Sequence, residues 1–439
     1  MAAGAAARMV GRRLWRRGAR GMRRTFARPR RGILAYMAIL GPGMIAANAG
    51  NDAGGIATYA TVGADHGYTL LWVLVPITIS LGIVQEMCAR MGAVTGKGLA
   101  DLIRERFGVR WTALVMLALL VANGGVTVSE FVGIAAATEL FGVPRYVSVP
   151  LAAASVWWLV VKGSYRRVER VFLLMSLVFL GYIVSAFLAR PEWGVIAHEI
   201  VRPSFRLDTA YLFTFVAVVG TTISPYMQVY VQSSVVEKGV TAEEYTLTRA
   251  DVWTGTVFAI SIVFFIIVST SATLHRHGIR IETAADAARA LEPLAGHYAG
   301  LLFATGLFGA SMLAAGVLPL ATAYSISEAL GFEKGVSRSF REAPIFIGIF
   351  SFLVAVGALV AVIPGLPLIR VLIVTQVING LLLPVILIAI LRLVNDREVM
   401  GAYANGPVYN VAAWLTAIVV SALSLLLIGA TLFPSLFRA

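Results

Sequence analysis

Apolar segments of membrane-spanning length recur along almost the whole chain of 439 residues. A helix needs about 20 apolar residues to cross the hydrocarbon core of a bilayer, whereas a barrel strand needs only about 10. Backbone polar groups in hydrocarbon must be satisfied within the spanning structure, so runs of this length predict helices. Only 13% of the residues are charged, against about 25% in soluble domains. The predicted fold class is therefore an all-α integral membrane protein.

The pattern predicts about eleven membrane-spanning segments. They lie near residues 33–62, 68–93, 111–140, 146–161, 168–189, 209–236, 251–274, 299–330, 344–363, 367–391 and 409–432. Basic residues follow the second, fourth, eighth and tenth segments and are frequent in residues 1–31. Such loops stay on the cytoplasmic side. We therefore expect a cell-membrane protein with a cytoplasmic N-terminus and, because the number of segments is odd, an extracellular C-terminus.

The net charge of +13 does not indicate nucleic-acid binding, because much of it lies in the arm at residues 1–31. Basic groups beside a membrane segment attract anionic headgroups, which makes membrane lipid the expected partner. A cleavable signal peptide would also begin with basic residues, but the apolar segment that follows is too long. Cys88 is the only cysteine, so no intramolecular disulfide is possible. Enzyme and nucleotide-binding motifs are absent from the sequence, and we expect neither catalysis nor a cofactor.

Two of the predicted segments contain helix-breaking sequences. The first carries Gly-Pro-Gly at 41–43 and Gly-Asn-Asp-Ala-Gly-Gly at 50–55, and the sixth carries Gly-Thr-Thr-Ile-Ser-Pro-Tyr at 220–226. Interrupted helices persist at membrane depth only where they are buried in protein or line a cavity. A corresponding pair in two halves of a chain is typical of transporters with inverted repeats. Asp52 lies in the first interruption without a basic residue nearby, which predicts a cation-binding site.

These interrupted segments resemble the NRAMP family of divalent metal transporters. Residues 52–55 align with the family's Asp-Pro-Gly-Asn motif and residues 224–226 with its Met-Pro-His motif. Three further stretches match in the same order, namely SEFVG, TQVINGLLLP and NDREVMG. The resemblance implies a LeuT-type fold with two inverted repeats and one extra helix. The expected transport domain covers residues 32–439, with repeat one near 32–190, repeat two near 208–392 and the extra helix near 409–432.

The resemblance also implies a set of metal-binding residues. Asp52 and Gln376 align with a family aspartate and glutamine, whereas Gly55 replaces the binding asparagine and Ser224 the binding methionine. Backbone carbonyls complete the implied set. The expected metal site is Asp52, Ala49, Gly55, Thr221, Ser224 and Gln376.

A second group of residues is expected to gate the site or surround it. Tyr226 replaces the family's histidine, and Thr127 replaces the acidic residue that begins its proton path. Glu130 is retained, either as a proton carrier or as a structural carboxyl bonded to another helix. Asn51 completes this group.

Oxygen ligands without a thioether favour magnesium, because sulfur favours softer ions such as iron and cadmium. Magnesium prefers octahedral oxygen ligation and keeps several of its waters. The sequence therefore resembles the NRAMP-related magnesium transporters (NRMT) most closely. We expect a monomeric transporter of Mg²⁺, and also of Mn²⁺, without proton coupling. The alternatives are a proton-coupled Mn²⁺ or Fe²⁺ symporter of the ordinary NRAMP type and, more remotely, a sodium-coupled transporter of organic solutes.

Overall fold

A computed structural model describes residues 50–162, 180–289, 296–333, 335 and 340–433 of the chain. All regular secondary structure in these residues is helical. The α-helices, numbered here in chain order, are α1 (Ala53–His66), α2 (Leu74–Thr95), α3 (Leu99–Leu140), α4 (Arg145–Lys162), α5 (Leu180–Leu188), α6 (Trp193–Val201), α7 (Thr209–Thr222), α8 (Pro225–Glu237), α9 (Tyr245–Thr273), α10 (Ala284–Arg289), α11 (Ala299–Leu330), α12 (Pro344–Ala361), α13 (Leu368–Val394), α14 (Arg397–Met400) and α15 (Pro407–Leu432).

Eight helical stretches of the described residues are long and apolar enough to cross a membrane. They are Leu71–Thr95, Leu99–Leu140, Thr209–Glu237, Tyr245–His277, Gly300–Leu330, Pro344–Ala361, Leu368–Val394 and Pro407–Leu432. These stretches confirm an all-helical membrane protein. The predicted fourth segment corresponds to α4. The first and fifth predicted segments extend beyond the described residues, and the basic arm at 1–31 lies wholly outside them.

The predicted interruption of the sixth segment is present, and at the first segment the structure describes the helix that begins within the predicted interruption. Helix α7 ends at Thr222, and Ser224 adopts an extended conformation (φ −66°, ψ 140°) before α8 begins at Pro225. Proline suits the first position of a helix, because the N–H that it lacks would have no partner there. Helix α1 begins at Ala53, and the extended Asp52 (φ −70°, ψ 178°) is its N-cap. Two helices therefore start near the centre of the protein.

Helix α3 is longer than the sequence pattern predicts. The predicted third segment starts at residue 111, but α3 begins at Leu99 and bends at Gly108, whose φ is 78°. The additional turns contain Arg104 and Arg106, so hydropathy alone excludes them from a membrane segment. Only glycine reaches this positive φ without steric cost. Beyond the bend, α3 packs along α11, α12 and α13.

Helices α7 and α13 approach each other closely beside the interruption of α7. A Cβ atom on Gly220 would lie 2.2 Å from the carbonyl oxygen of Gln376 and 2.4 Å from the backbone nitrogen of Gly380. Real Cβ atoms are not found that close to backbone. The pair of glycines therefore allows α13 to bring Gln376 up to the start of α1.

The far end of α8 is joined to its neighbours by buried polar contacts. Ser233 donates to Oε1 of Glu328 at 2.7 Å, and the backbone nitrogen of Ala100 donates to Oε2 at 3.4 Å. Nε2 of Gln232 donates to the carbonyl of Lys97 at 3.0 Å. The connection between α2 and α3 is thus fixed to both α8 and α11.

Candidate cation site

Asp52 lies at the start of α1 with its carboxylate completely buried. Its Oδ1 accepts a hydrogen bond from the backbone nitrogen of Gly55 at 2.5 Å, as expected of an N-cap. Nε2 of Gln376 lies 3.2 Å from Oδ1 and 3.4 Å from Oδ2. These contacts come from α1 and α13. They fix the orientation of the carboxylate and leave lone pairs of both oxygens available to a cation.

Glu130 provides a second completely buried carboxylate at the same helix start. Its Oε2 accepts from the backbone nitrogen of Ala53 at 3.1 Å, and its Oε1 from the hydroxyl of Ser129 at 3.3 Å. In the described part of the chain, neither Asp52 nor Glu130 pairs with an arginine or lysine. The N-terminus of a helix carries only about half a positive charge. A cation is therefore the natural counter-charge for this site.

The backbone of Gly55 is closely surrounded by oxygen atoms, with no room for a side chain. A Cβ atom there would lie 2.7 Å from the carbonyl oxygen of Gly50, 3.0 Å from Oγ1 of Thr221 and 3.1 Å from Oδ1 of Asp52. These oxygens come from the turn before α1, from α7 and from the N-cap. Hard divalent cations prefer oxygen ligands of these kinds.

The hydroxyls of Thr221 and Ser224 differ in their bonding. Oγ1 of Thr221 is buried and has no hydrogen-bond partner among the described residues. The hydroxyl of Ser224 lies 2.7 Å from the carbonyl of Gly220 and 3.0 Å from that of Thr221. Its hydrogen is therefore used within the interruption of α7, whereas its lone pairs remain available. The carbonyl oxygen of Thr221 accepts the hydrogen bond from Ser224. Of the two oxygens of Thr221, only the hydroxyl therefore lacks a hydrogen-bond partner among the described residues.

The structure thus brings Asp52, Gly55, Thr221 and Gln376 together, with Ser224 in the adjoining interruption. Ala49, whose carbonyl was expected to face the ion, lies outside the described residues. The site assignments otherwise stay predictions. The neighbouring carbonyl of Gly50 packs closely against Gly55.

The residues expected to gate or surround the site lie on different helices and make different contacts. Nδ2 of Asn51 donates to the carbonyl of Ala259 at 3.2 Å, which anchors the turn before α1 to α9. Oγ1 of Thr127 donates to the carbonyl of Asn123 in its own helix at 2.7 Å. Tyr226 is completely buried in the first turn of α8. Glu130 bonds the backbone nitrogen of Ala53, the residue that follows Asp52.

Three polar residues near the site did not emerge from the sequence. The hydroxyl of Tyr59 lies 2.9 Å from that of Thr222 and joins α1 to the end of α7. Nδ2 of Asn379 donates to Oε1 of Gln376 at 3.3 Å, and Nε2 of Gln228 donates to the carbonyl of Ser224 at 3.4 Å. Helical spacing contained a signal, because residues three or four apart share a helix face. Asn379 follows Gln376 by three residues, and Gln228 follows Ser224 by four.

Known proteins resemble this chain over most of its length. The family model described as natural resistance-associated macrophage protein-like (Nramp) matches residues 43–430. A divalent metal cation transporter MntH of Ralstonia nicotianae is 30% identical over 420 residues, covering 88% of this chain and 90% of that protein. The MntH protein of Deinococcus radiodurans is 28% identical over 410 residues, covering 90% of each.

Solved structures show the same fold. A manganese transporter of Eremococcus coleocola, crystallised with an aromatic bis-isothiourea compound, has a TM-score of 0.74 at 19% identity, covering 92% of this chain and 89% of that one. MhsT in complex with L-phenylalanine has a TM-score of 0.58 at 12% identity, covering 88% and 97%. The fold is therefore that of the LeuT-type transporters. Since the family model spans most of the sequence, this chain belongs to the Nramp family.

Proposed function

We propose that this protein carries divalent metal cations across the cell membrane through an alternating-access site at Asp52, with Mg²⁺ as its main substrate and Mn²⁺ as a second. The relatives named as divalent metal cation transporters support the general class. The observation that carries the choice of ion is the set of oxygen atoms that converge on Gly55 beside Asp52. In the proposed orientation a monomer has its N-terminus in the cytoplasm and its C-terminus outside.

The chemistry of the ligands favours a hard ion. Ser224 stands where the family's motif has a methionine, so a hydroxyl replaces a thioether at that position. The sulfur of Met227, two residues after Pro225, contacts Nε2 of Gln85 at 3.7 Å. Thioether sulfur raises affinity for soft ions, whereas carboxylate, carbonyl and hydroxyl oxygens suit Mg²⁺ and Mn²⁺.

Unpartnered oxygens near the site favour an ion that keeps part of its water shell. Oγ1 of Thr221, Oε1 of Gln228 and Oδ1 of Asn379 are buried and lack hydrogen-bond partners among the described residues. A buried acceptor without a partner costs about 1–3 kcal/mol. Waters bound to Mg²⁺ carry hydrogens that such acceptors would bond. Magnesium gives up its waters reluctantly, so a partly hydrated ion suits this site.

The polar contacts also favour transport without proton coupling. Proton relays in membranes need ionisable groups along a path. Thr127 and Tyr226 occupy the aligned acidic and histidine positions, and Glu130 is engaged in capping α1 at Ala53. The membrane potential would then drive uptake, at about 2.3 kcal/mol per charge for each 100 mV.

The ordinary alternative is a proton-coupled Mn²⁺ or Fe²⁺ symporter, and the similarity to a manganese transporter fits it at the level of the family. A sodium-coupled carrier of organic solutes shares the fold. We disfavour the first, since it usually has a sulfur ligand in place of Ser224, and the second, since the relatives that match most of the chain are named as divalent metal cation transporters.

Reconstituted protein tests the proposed function directly. Liposomes that contain a magnesium indicator and a pH-sensitive dye are given external Mg²⁺ and an inside-negative potential. We expect the magnesium signal to rise while the internal pH stays constant, and Mn²⁺ to compete with Mg²⁺. Acidification that accompanies uptake would contradict the lack of proton coupling. Uptake of Mn²⁺ or Fe²⁺ that excess Mg²⁺ leaves unchanged would favour the ordinary symporter.

Ser224→Met tests how the protein selects its ion. Leucine and methionine have similar volumes, so Ser224→Leu controls for size. We expect Ser224→Met to raise the ratio of Cd²⁺ or Mn²⁺ uptake to Mg²⁺ uptake by about tenfold, or about 1.4 kcal/mol, because it adds a soft ligand. Ser224→Leu should lower uptake of all ions without this change in ratio. If both variants gave the same ratio, Ser224 would not determine selectivity.

A further inference from the structure

A cavity of about 260 Å³ lies between α3 and α11. Apart from Arg104 and Thr112, its lining is apolar and includes Met116, Leu120 and Ile326. The hydroxyl of Thr112 donates to the carbonyl of Gly108 at 2.8 Å, so it does not make the cavity polar. The cavity is remote from Asp52 in the chain, and the transport chemistry does not use it.

The bend of α3 at Gly108 lies beside this cavity, which is lined by Arg104 before the bend and by Val109 after it. Before Gly108 the helix carries Arg104, whereas residues 109–120 are apolar apart from Arg110 and Thr112. Nη1 of Arg104 donates to the carbonyl of Ala329 at 3.1 Å, which holds the guanidinium at the end of α11. A guanidinium has five N–H donors, and most of those of Arg104 remain available. One end of the cavity is therefore cationic and the rest is apolar.

The surface around the cavity faces lipid. Val109 is 73% exposed, Leu117 60% and Leu330 56%. Since α3 and α11 are both membrane-spanning stretches, these side chains contact hydrocarbon. Apolar cavities of this kind exclude water. In a bilayer, a hydrocarbon chain of a neighbouring lipid fills the space.

The charge of the side chains at this end of α3 indicates which lipid headgroup the cavity would accept. The nearby Lys97 bonds Glu105, and Arg106 bonds Asp396 and Glu398, so these cations are already paired. Arg104, by contrast, bonds only the backbone carbonyl of Ala329 among the described residues. Basic side chains beside a membrane attract anionic headgroups by about 1 kcal/mol each, and guanidinium bonds phosphate through two parallel N–H groups.

We propose that this cavity binds one anionic phospholipid, with an acyl chain between α3 and α11 and its phosphate on Arg104. The positive-inside pattern puts this end of α3 in the cytoplasmic leaflet. The site is separate from the transport site, so its test does not depend on the proposed choice of ion.

Native mass spectrometry of the purified protein tests the site. Protein freed of lipid is mixed with phosphatidylglycerol or phosphatidylcholine in equal amounts. We expect one phosphatidylglycerol to be retained at least about tenfold better than phosphatidylcholine, a difference of about 1.4 kcal/mol. Ala113→Trp fills the cavity and should abolish retention of this one lipid. Arg104→Gln keeps the cavity and should make the two lipids equal.

Two matched variants serve as controls. Ala422→Trp adds the same ring to an exposed position of α15, and Arg110→Gln removes an exposed arginine of α3 that does not line the cavity. Both should bind phosphatidylglycerol as the unmodified protein does. The proposal is overturned if Arg110→Gln matches Arg104→Gln, which would mean diffuse attraction, or if phosphatidylcholine is retained equally by the unmodified protein. Should Ala113→Trp fail to fold, Arg104→Gln still decides the outcome.

Discussion

Replacing Asp52 by asparagine is expected to lower Mg²⁺ and Mn²⁺ influx into liposomes by at least about 100-fold, or about 2.7 kcal/mol. Unit charges 4 Å apart interact by about 4 kcal/mol at an effective dielectric constant of 20, and a divalent ion doubles the charge. The amide oxygen still caps α1, because asparagine and aspartate are equally good N-caps. The loss should therefore come from the missing charge, with the fold retained.

Asp65→Asn provides the matched control for this experiment. Asp65 is exposed near the other end of α1, so the same substitution changes net charge equally without touching the site. Its influx should stay close to that of the unmodified protein. Thermal unfolding of both variants should be similar. Influx through Asp52→Asn above about a third of normal would mean that the cation binds elsewhere.

Gly54→Ala is expected to impair transport nearly as strongly as removal of the Gln376 side chain. A Cβ atom on Gly54 would lie 2.0 Å from Nε2 of Gln376 and 2.9 Å from its Cδ. The glutamine would have to move, and its contacts with Asp52 at 3.2 Å and 3.4 Å would be lost. A hydrogen bond to a charged group contributes about 1.5–3 kcal/mol. We therefore expect influx at limiting Mg²⁺ to fall by roughly 10- to 100-fold.

A double-mutant cycle distinguishes this mechanism from general damage. If Gly54→Ala acts through Gln376, it should add little to Gln376→Ala, since contacting residues are not additive. Gly348→Ala is the control, because a Cβ there meets no atom within 4 Å in the described structure. Fully additive losses in the double variant would show that Gly54 acts through some other contact.

The helices of this protein were largely predictable from its sequence. The predicted eighth segment near 299–330 corresponds to α11 (Ala299–Leu330), and the ninth, near 344–363, to α12 (Pro344–Ala361). Hydropathy is a property of each residue, so membrane-spanning helices can be predicted without knowing which residues are in contact in the fold. The break at Ser224 was also readable, because glycine and proline occur together in residues 220–225 and both lower helix propensity. The start of α3 was missed, since its first turns are charged.

The site was predictable only in part. Asp52 was apparent from the cost of an unpaired carboxylate in a membrane, and Gln376 from resemblance. Neither signal gave the carbonyl of Gly50 or the contact between Tyr59 and Thr222, which are 163 residues apart in the chain. Helical spacing could have suggested Asn379.

The sequence by itself determined that this chain spans a membrane as helices, that one of them breaks at Ser224, and that a buried carboxylate lies at the start of α1. Those properties depend on the hydropathy and backbone preferences of single residues. Only the tertiary structure decided which oxygens meet at Asp52, because Gln376 is 324 residues away and reaches it through the close approach of Gly220 to Gly380. It also decided that α3 and α11 leave a cavity between them. Both depend on how helices pack, which no single residue encodes.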